Sequence, residues 1–333
     1  MLSRVAENLF WIGRYIERAE NVARVVDAAR RMSSLPNETG RGLTNEWSSI
    51  LVVAGARETF GPAYERADAG AAVDHLLFSE NNPSSVARCI HAARENAREV
   101  RFAITRECWE ILNTAWSEMR RITPLDATGA GLSDVIDWIK AQSALFRGAL
   151  IGTMLRDDGY SFMRMGGSVE RFDYTARMID VKYHVLLPSL TDIGAHTDHY
   201  QWLSLLQASA GYRAYVHVTK SEITARGVGE FLILEKSFPR SLLYNTRRIA
   251  EHLRNLSSFY GRDAACGRLV DDYIRELESK SIDDIFDQGL HEFLTDAIDR
   301  NYQIANALAN SYGFGSFESV ATPDGSAATG AVQ

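Results

Sequence analysis

Basic charge is scarce in this 333-residue sequence: 36 lysines and arginines stand against 43 acids, for a net charge of −7 and a pI of about 5.7. That balance argues against a general nucleic-acid or anionic-membrane surface, although local basic clusters can still hold a phosphate or carboxylate. Cysteine is scarcer still. Cys89, Cys108 and Cys266 are isolated, odd in number and outside any paired spacing. They read as reduced thiols rather than a disulfide frame or a zinc site. No apolar run approaches the roughly 18 residues of a membrane span. Arg4, Glu7, Arg14 and Glu17 fall where a signal peptide would need an unbroken apolar core. The expected location is the cytoplasm, with neither membrane nor nucleic acid as partner.

Catalytic signatures are missing too. "GVGEF" lacks the preceding strand and the spacing of a nucleotide loop, and no Walker motif occurs. His196 and His199 in "HTDHYQW" have no nearby cysteine or glutamate base and read as a loop or helix start, so no metal or cofactor is expected. No serine or cysteine nucleophile with an adjacent base can be identified.

What remains is helix. With only seven prolines and no sustained alternating pattern, the chain reads as all-α, a multi-helix bundle. Val5, Leu9, Ile12, Ile16, Ala19, Ala23 and Val26 recur at three- and four-residue steps, predicting a first helix from Ser3 to about Met32. "SSLPNETGRG" breaks it. "NEWSSILVVAGARETF" predicts a second helix, and a short one follows near 66–78. Asn82 and Pro83 are placed to open one or two long helices, as cap and first helical residue. Residues 123–133 form the best linker. Helices are predicted beyond it near 134–155, 161–187, 200–217, 220–235, 240–260, 264–279 and 284–312. The expected organisation is a first half over 1–125, a second over 126–313 packed with it as one unit, and a disordered tail over 314–333.

The two halves share wording. "GRYIERAENVARVVD" (13–27) and "GGSVERFDYTARMID" (166–180) match at Gly13/Gly166, Glu17/Glu170, Arg18/Arg171, Ala23/Ala176, Arg24/Arg177 and Asp27/Asp180. "LLFSENNPSSVARCIHAARE" (76–95) aligns with "LILEKSFPRSLLYNTRRIAE" (232–251) through Pro83/Pro239, Ser85/Ser241 and Glu95/Glu251. Repeats in the same order predict two internally duplicated helical halves related by an approximate two-fold.

Positions 13, 17, 20, 24 and 27 advance by four, three, four and three and so share one narrow helix face. The face reads Gly, Glu20-type acid pairs and Arg in both copies: Glu17, Glu20 and Arg24 in the first, Glu170, Asp173 and Arg177 in the second. Glu20 and Arg24 form an i,i+4 pair. A mid-helix glycine costs about 1 kcal/mol relative to alanine, so its repetition points to close approach by another helix or a ligand. One reading is a buried ion-pair network that fixes how the halves dock. Another is a polar cavity in which arginines clamp a carboxylate or phosphate. A carboxylate metal site wants Glu-x-x-His on paired helices, which neither copy has. Arg94, Arg98 and Arg101 make a second basic stripe at steps of four and three. With Arg14 and Arg18 it would line a cleft for an anionic or peptide-like ligand.

These segments, with "NPSSV", "ARENAREVR", "ECWEILN" and "GYSFMRMGGSVERFDYTAR", resemble the bacterial alpha-E family (DUF403) from the first residues to about position 313. The resemblance implies an all-helical domain with a Glu-Arg signature, found beside circularly permuted ATP-grasp ligases and transglutaminase-like proteases and sometimes fused to the ligase. Arg14, Glu17, Arg18, Arg24, Arg94, Arg98, Glu170 and Arg171 match the family pattern. Gly167 departs from it where the second copy usually has arginine, and Phe172 where alanine is usual, which favours the first copy as the functional one. Two function classes follow: a non-catalytic or co-catalytic module serving a peptide or amide ligase, or an enzyme using stripe carboxylates as general acid or base.

Overall fold

The computed structural model describes residues 1–33, 46–185 and 196–315. Among them the chain is all-α: fifteen α-helices, two short 3-10 turns and no strand. The helices are α1 (Ser3–Ser33), α2 (Glu46–Val53), α3 (Arg57–Phe60), α4 (Ala69–Leu77), α5 (Val86–Glu99), α6 (Arg106–Met119), α7 (Gly131–Thr153) and α8 (Asp158–Val185). They continue as α9 (His196–Ala208), α10 (Tyr212–Thr219), α11 (Ala225–Leu234), α12 (Leu242–Tyr260), α13 (Cys266–Ser279), α14 (Ile282–Gln288) and α15 (Leu290–Tyr312). None is long and apolar enough to cross a membrane.

Several predicted helices divide, each at a residue that leaves the right-handed region. Gly55 at φ +64° separates α2 from α3, Ala210 at φ +55° separates α9 from α10, and Gly289 at φ +103° separates α14 from α15. The helix expected to open at Asn82 and Pro83 opens instead at Val86. Ser85 is its cap, accepting from the Arg88 amide at 3.3 Å. Asn82 is taken by the preceding turn, where its Oδ1 accepts from the Ser84 amide and its Nδ2 donates to the His75 carbonyl. The long candidate beyond it is two helices, α5 and α6, joined by a 3-10 turn. Residues 34–45, where the break after the first helix is predicted, residues 186–195, where the helix predicted to 187 ends, and the predicted tail from 316 lie outside the described residues.

Helices α1 and α8 form the centre, with α5, α7 and α9 against α1 and with α12 and α15 against α8. Leu9, Phe10, Ile12, Val26 and Ala29 of α1, and Phe162, Met165, Phe172 and Ile179 of α8, are all but inaccessible. Neighbours pack on several sides of both helices, so Glu17, Glu20 and Glu170 are buried along with the apolar faces while Arg14, Arg18, Arg24 and Arg171 are half-buried.

Glycine sets how closely the two approach. A Cβ on Gly13 would stand 2.0 Å from the Met163 carbonyl oxygen, and one on Gly166 would stand 2.0 Å from the Phe10 carbonyl oxygen. The contacts are reciprocal: each glycine meets the residue three positions before the other. No side chain fits at either point, which is why both stripes begin with glycine.

Candidate functional site

The close crossing brings the two Glu-Arg motifs face to face, and each acid is gripped by the other helix. Glu170 accepts from Arg18 in a two-pronged contact, Nε to Oε1 at 2.6 Å and Nη2 to Oε2 at 2.9 Å, and from Arg14 Nε at 2.9 Å. Glu17 accepts from Arg171 in the same two-pronged way, Nε to Oε1 at 2.8 Å and Nη2 to Oε2 at 2.5 Å. Such fork-to-fork pairs fix orientation as well as adding energy.

The network spreads from there. Glu20, fully buried, accepts from Arg24 Nε at 2.8 Å, from Arg240 Nη2 at 2.8 Å and from Arg147. Arg240 also donates to Asn21 Oδ1 at 2.8 Å and lies 3.1 Å from Glu17. Tyr174 closes the crossing by donating to the Asn21 carbonyl at 2.5 Å. In α8 the predicted i,i+4 pair is present, with Arg177 donating to Asp173 at 2.8 Å. Asp180, which ends the second stripe, pairs with His291 Nδ1 at 2.6 Å.

Electrostatics lock these charges in place. Burial pushes the Glu170 carboxyl up, but Arg18 and Arg14 outweigh it and bring it down to about 2. Glu17 is likewise pushed up by burial and carried well below the usual carboxylate range by Arg171 and Arg240. Burial pulls Arg240 down to about 10 against the attraction of Glu17.

A pH dependence follows. Glu170 has its folded pKa lowered, from 4.5 to about 2, so its contribution is complete above the unfolded value and lost as pH falls through the folded one. The difference amounts to about 3 kcal/mol. Stability is expected to fall between about pH 4.5 and pH 2, and a Glu170→Gln variant, already weakened, should show a shallower fall. Parallel profiles of melting temperature against pH in parent and variant would contradict this.

Nine of the twelve sequence-predicted residues, Arg14, Glu17, Arg18, Glu20, Arg24, Glu170, Arg171, Asp173 and Arg177, therefore lie on the crossing or along its two helices. The other three sit apart from it. Arg94 donates to Asn113 of α6 at 3.0 Å and to Glu95, Arg98 pairs with Glu95 at 2.7 Å, and Arg101 stacks over Trp109 at 5.0 Å. These arginines tie α5 to α6 and to its own face.

Sequence reasoning missed Arg147 and Arg240. Arg240 directly follows the repeated Pro239, and its aligned partner Ser84 follows Pro83 and accepts from Arg18 at 3.4 Å, so the repeat itself held that signal. Arg147 is a lone charge in the apolar run "ALFRGALIG", an environment that asks for a buried partner.

Beside the crossing, where Gly167 leaves space opposite Gly13, a small cleft opens with about 30 Å³ of free volume. Arg147, Arg164, Arg171 and Ser168 line it, Glu17 lies within it, and Phe146, Leu150 and Met163 form its apolar wall. A larger cleft of about 330 Å³ between α13 and α15 carries Glu276, Asp296 and Asp299 against Arg300, the wrong sign for an anion.

The arrangement defines a class: an all-α protein whose central helix pair is docked by crossed glutamate–arginine pairs, with excess positive charge beside the crossing. The chain belongs to the Alpha-E family, described as a predicted alpha-helical domain with a conserved ER motif and matched over residues 1–312. Glu17-Arg18 and Glu170-Arg171 are the Glu-Arg pairs that meet at the crossing. The chain is also similar to Uncharacterized protein Mb2597 of Mycobacterium bovis and Uncharacterized protein MT2643 of Mycobacterium tuberculosis. Each is 25% identical over 326 residues, covering 89% of this chain and 36% of the relative. The chain thus spans little more than a third of the length of the curated relatives it matches. No solved structure matches it.

Proposed function

We propose that this chain is a non-catalytic or co-catalytic helical module that binds a carboxylate- or phosphate-bearing ligand or partner and serves an ATP-grasp type peptide or amide ligase. The observation that carries the binding half is charge imbalance. Arg14, Arg18, Arg24, Arg147, Arg171 and Arg240 surround Glu17, Glu20 and Glu170, six cations to three anions. Arg164 adds a further cation in the cleft. Excess guanidinium, mostly half-buried, in a chain of net charge −7 favours an anion at that point.

The enzyme alternative fares less well on the same geometry. A general acid or base needs a carboxyl poised near neutrality, whereas arginines hold Glu17 and Glu170 ionised far below it. Partnership with the ligase, and with a transglutaminase-like protease, rests on the resemblance. Relatives nearly three times as long leave room for a second activity on one polypeptide, which suits a module that serves another domain. The reciprocal contacts of Gly13 and Gly166 support, for α1 and α8, the reading of the sequence as duplicated halves. Three buried free cysteines fit a reducing, cytoplasmic setting.

Co-purification of the tagged chain with the neighbouring ATP-grasp type ligase, followed by ligation assays with and without it, tests the proposal. The expected result is a stable complex, ligation at least several-fold faster with the chain present, and no turnover by the chain alone. Turnover of an amide substrate by the purified chain would favour the enzyme.

A further inference from the structure

Arg164 differs from the other arginines of the cleft in having no acid paired with it among the described residues. It lies on α8 one turn before Ser168, with its Nε buried and without a partner. No described residue gives it a hydrogen bond or ion pair. The charges that reach it come from Arg171 and Arg248, both cationic, and from the phenols of Tyr160 and Tyr244. Burial and those two cations hold its pKa below that of an ordinary arginine. Behind it on α12, His252 is 2% exposed, and neither of its ring nitrogens has a partner. Burial first, then Arg248 and Arg164, bring the imidazole down to about 3 and keep it neutral. A half-buried guanidinium with no acid beside it and like charges around it costs a fold stability. Sites that keep such a cost are those where function opposes stability.

We propose that the cleft between Gly13 and Gly167 is a carboxylate-binding site with Arg164 as its anchor. This rests on the reading of the chain as an anion-binding module and names the ligand class.

The cleft accommodates a carboxylate: about 30 Å³ holds roughly two waters, the space of two carboxylate oxygens. Charge points the same way. Arg171 is committed to Glu17 and Arg147 to Glu20, which leaves Arg164 as the one cation of the lining without an acid, matched by a monoanion. Its planar fork suits two coplanar oxygens, and the apolar wall of Phe146, Leu150 and Met163 suits an aliphatic stem. A peptide C-terminus and a free short-chain acid share this chemistry.

Thermal melts with N-acetyl-Ala-Ala, its C-terminal amide, acetate and inorganic phosphate, on the parent chain and on Arg164→Gln and Arg164→Lys, test the site. N-acetyl-Ala-Ala should raise the parent's melting temperature saturably, and its amide should not. Acetate acting as well as the peptide would assign the site to free acids, and a stronger peptide response to C-termini. Without ligand, Arg164→Gln should melt at or above the parent, because an unpaired charge is gone. Its apparent affinity should fall at least tenfold, and that of Arg164→Lys several-fold. A lower melting temperature or failure to fold in Arg164→Gln would make the arginine structural and overturn the anchor. A full response surviving in Arg164→Gln would do the same, leaving the anion-module reading in place. Protection by phosphate but by no carboxylate would overturn the ligand class. Silence from every anion would overturn both site and module.

Discussion

Glu170→Ala is expected to lower the unfolding free energy by about 3–5 kcal/mol, enough to bring a domain of ordinary stability near its limit. Arg14 and Arg18 both aim at this carboxylate, and each would be left buried with its partner gone. The cost comes from stranding two cations, not from the net worth of the pair, which burial discounts heavily. Glu17→Ala should behave alike through Arg171, Arg240 and Arg147. Urea unfolding followed by circular dichroism gives the measurement. A loss under about 1 kcal/mol in both variants would place the stripe at a solvated surface.

The second large effect belongs to glycine. Gly166→Ala puts a methyl group 2.0 Å from the Phe10 carbonyl oxygen, and Gly13→Ala does the same at Met163. Both obstacles are backbone in helix interiors, so neither can rotate away, and the helices must separate. Overpacking of this kind costs about 1–3 kcal/mol or more, despite the gain of about 1 kcal/mol in helix propensity from alanine. Separation also lengthens the Glu-Arg contacts beside each glycine. The two substitutions should therefore be less than additive, since the second meets helices already apart. A double variant whose loss equals the sum of the singles would mean that the glycines act independently. Stabilisation by either single substitution would mean that the close crossing does not exist.

The all-α fold was legible because helical periodicity needs only local sequence, and the boundaries of α1, α4, α7, α11, α12 and α13 follow it within a few residues. The divided helices were harder to see. Ala210 takes a positive φ with no glycine at that position to announce it, and Gly55 and Gly289 sit inside runs that read as continuous helix. Ser85 displaced Asn82 as cap because both are good capping residues and a tertiary turn claimed Asn82. The motif's charged face was legible as a stripe, and its repetition pointed to a docked pair. Which acid meets which arginine depends on the crossing point, set by two glycines 153 positions apart. Arg94 and Arg98 share a helix-face spacing with the true network, but their stripe on α5 turns to α6 and Glu95, a choice made by packing rather than by spacing. Arg164 carried no local mark at all. Its distinction is a missing partner, and only three dimensions show that.

The most direct test of the account is a crystal structure of the chain grown with N-acetyl-Ala-Ala. Its carboxylate is expected between Arg164 and Ser168, within hydrogen-bond distance of the guanidinium, with the Arg18–Glu170 and Arg171–Glu17 pairs intact. A ligand that breaks either pair to reach Arg14 or Arg18, or that leaves the cleft beside Gly167 empty, would contradict it.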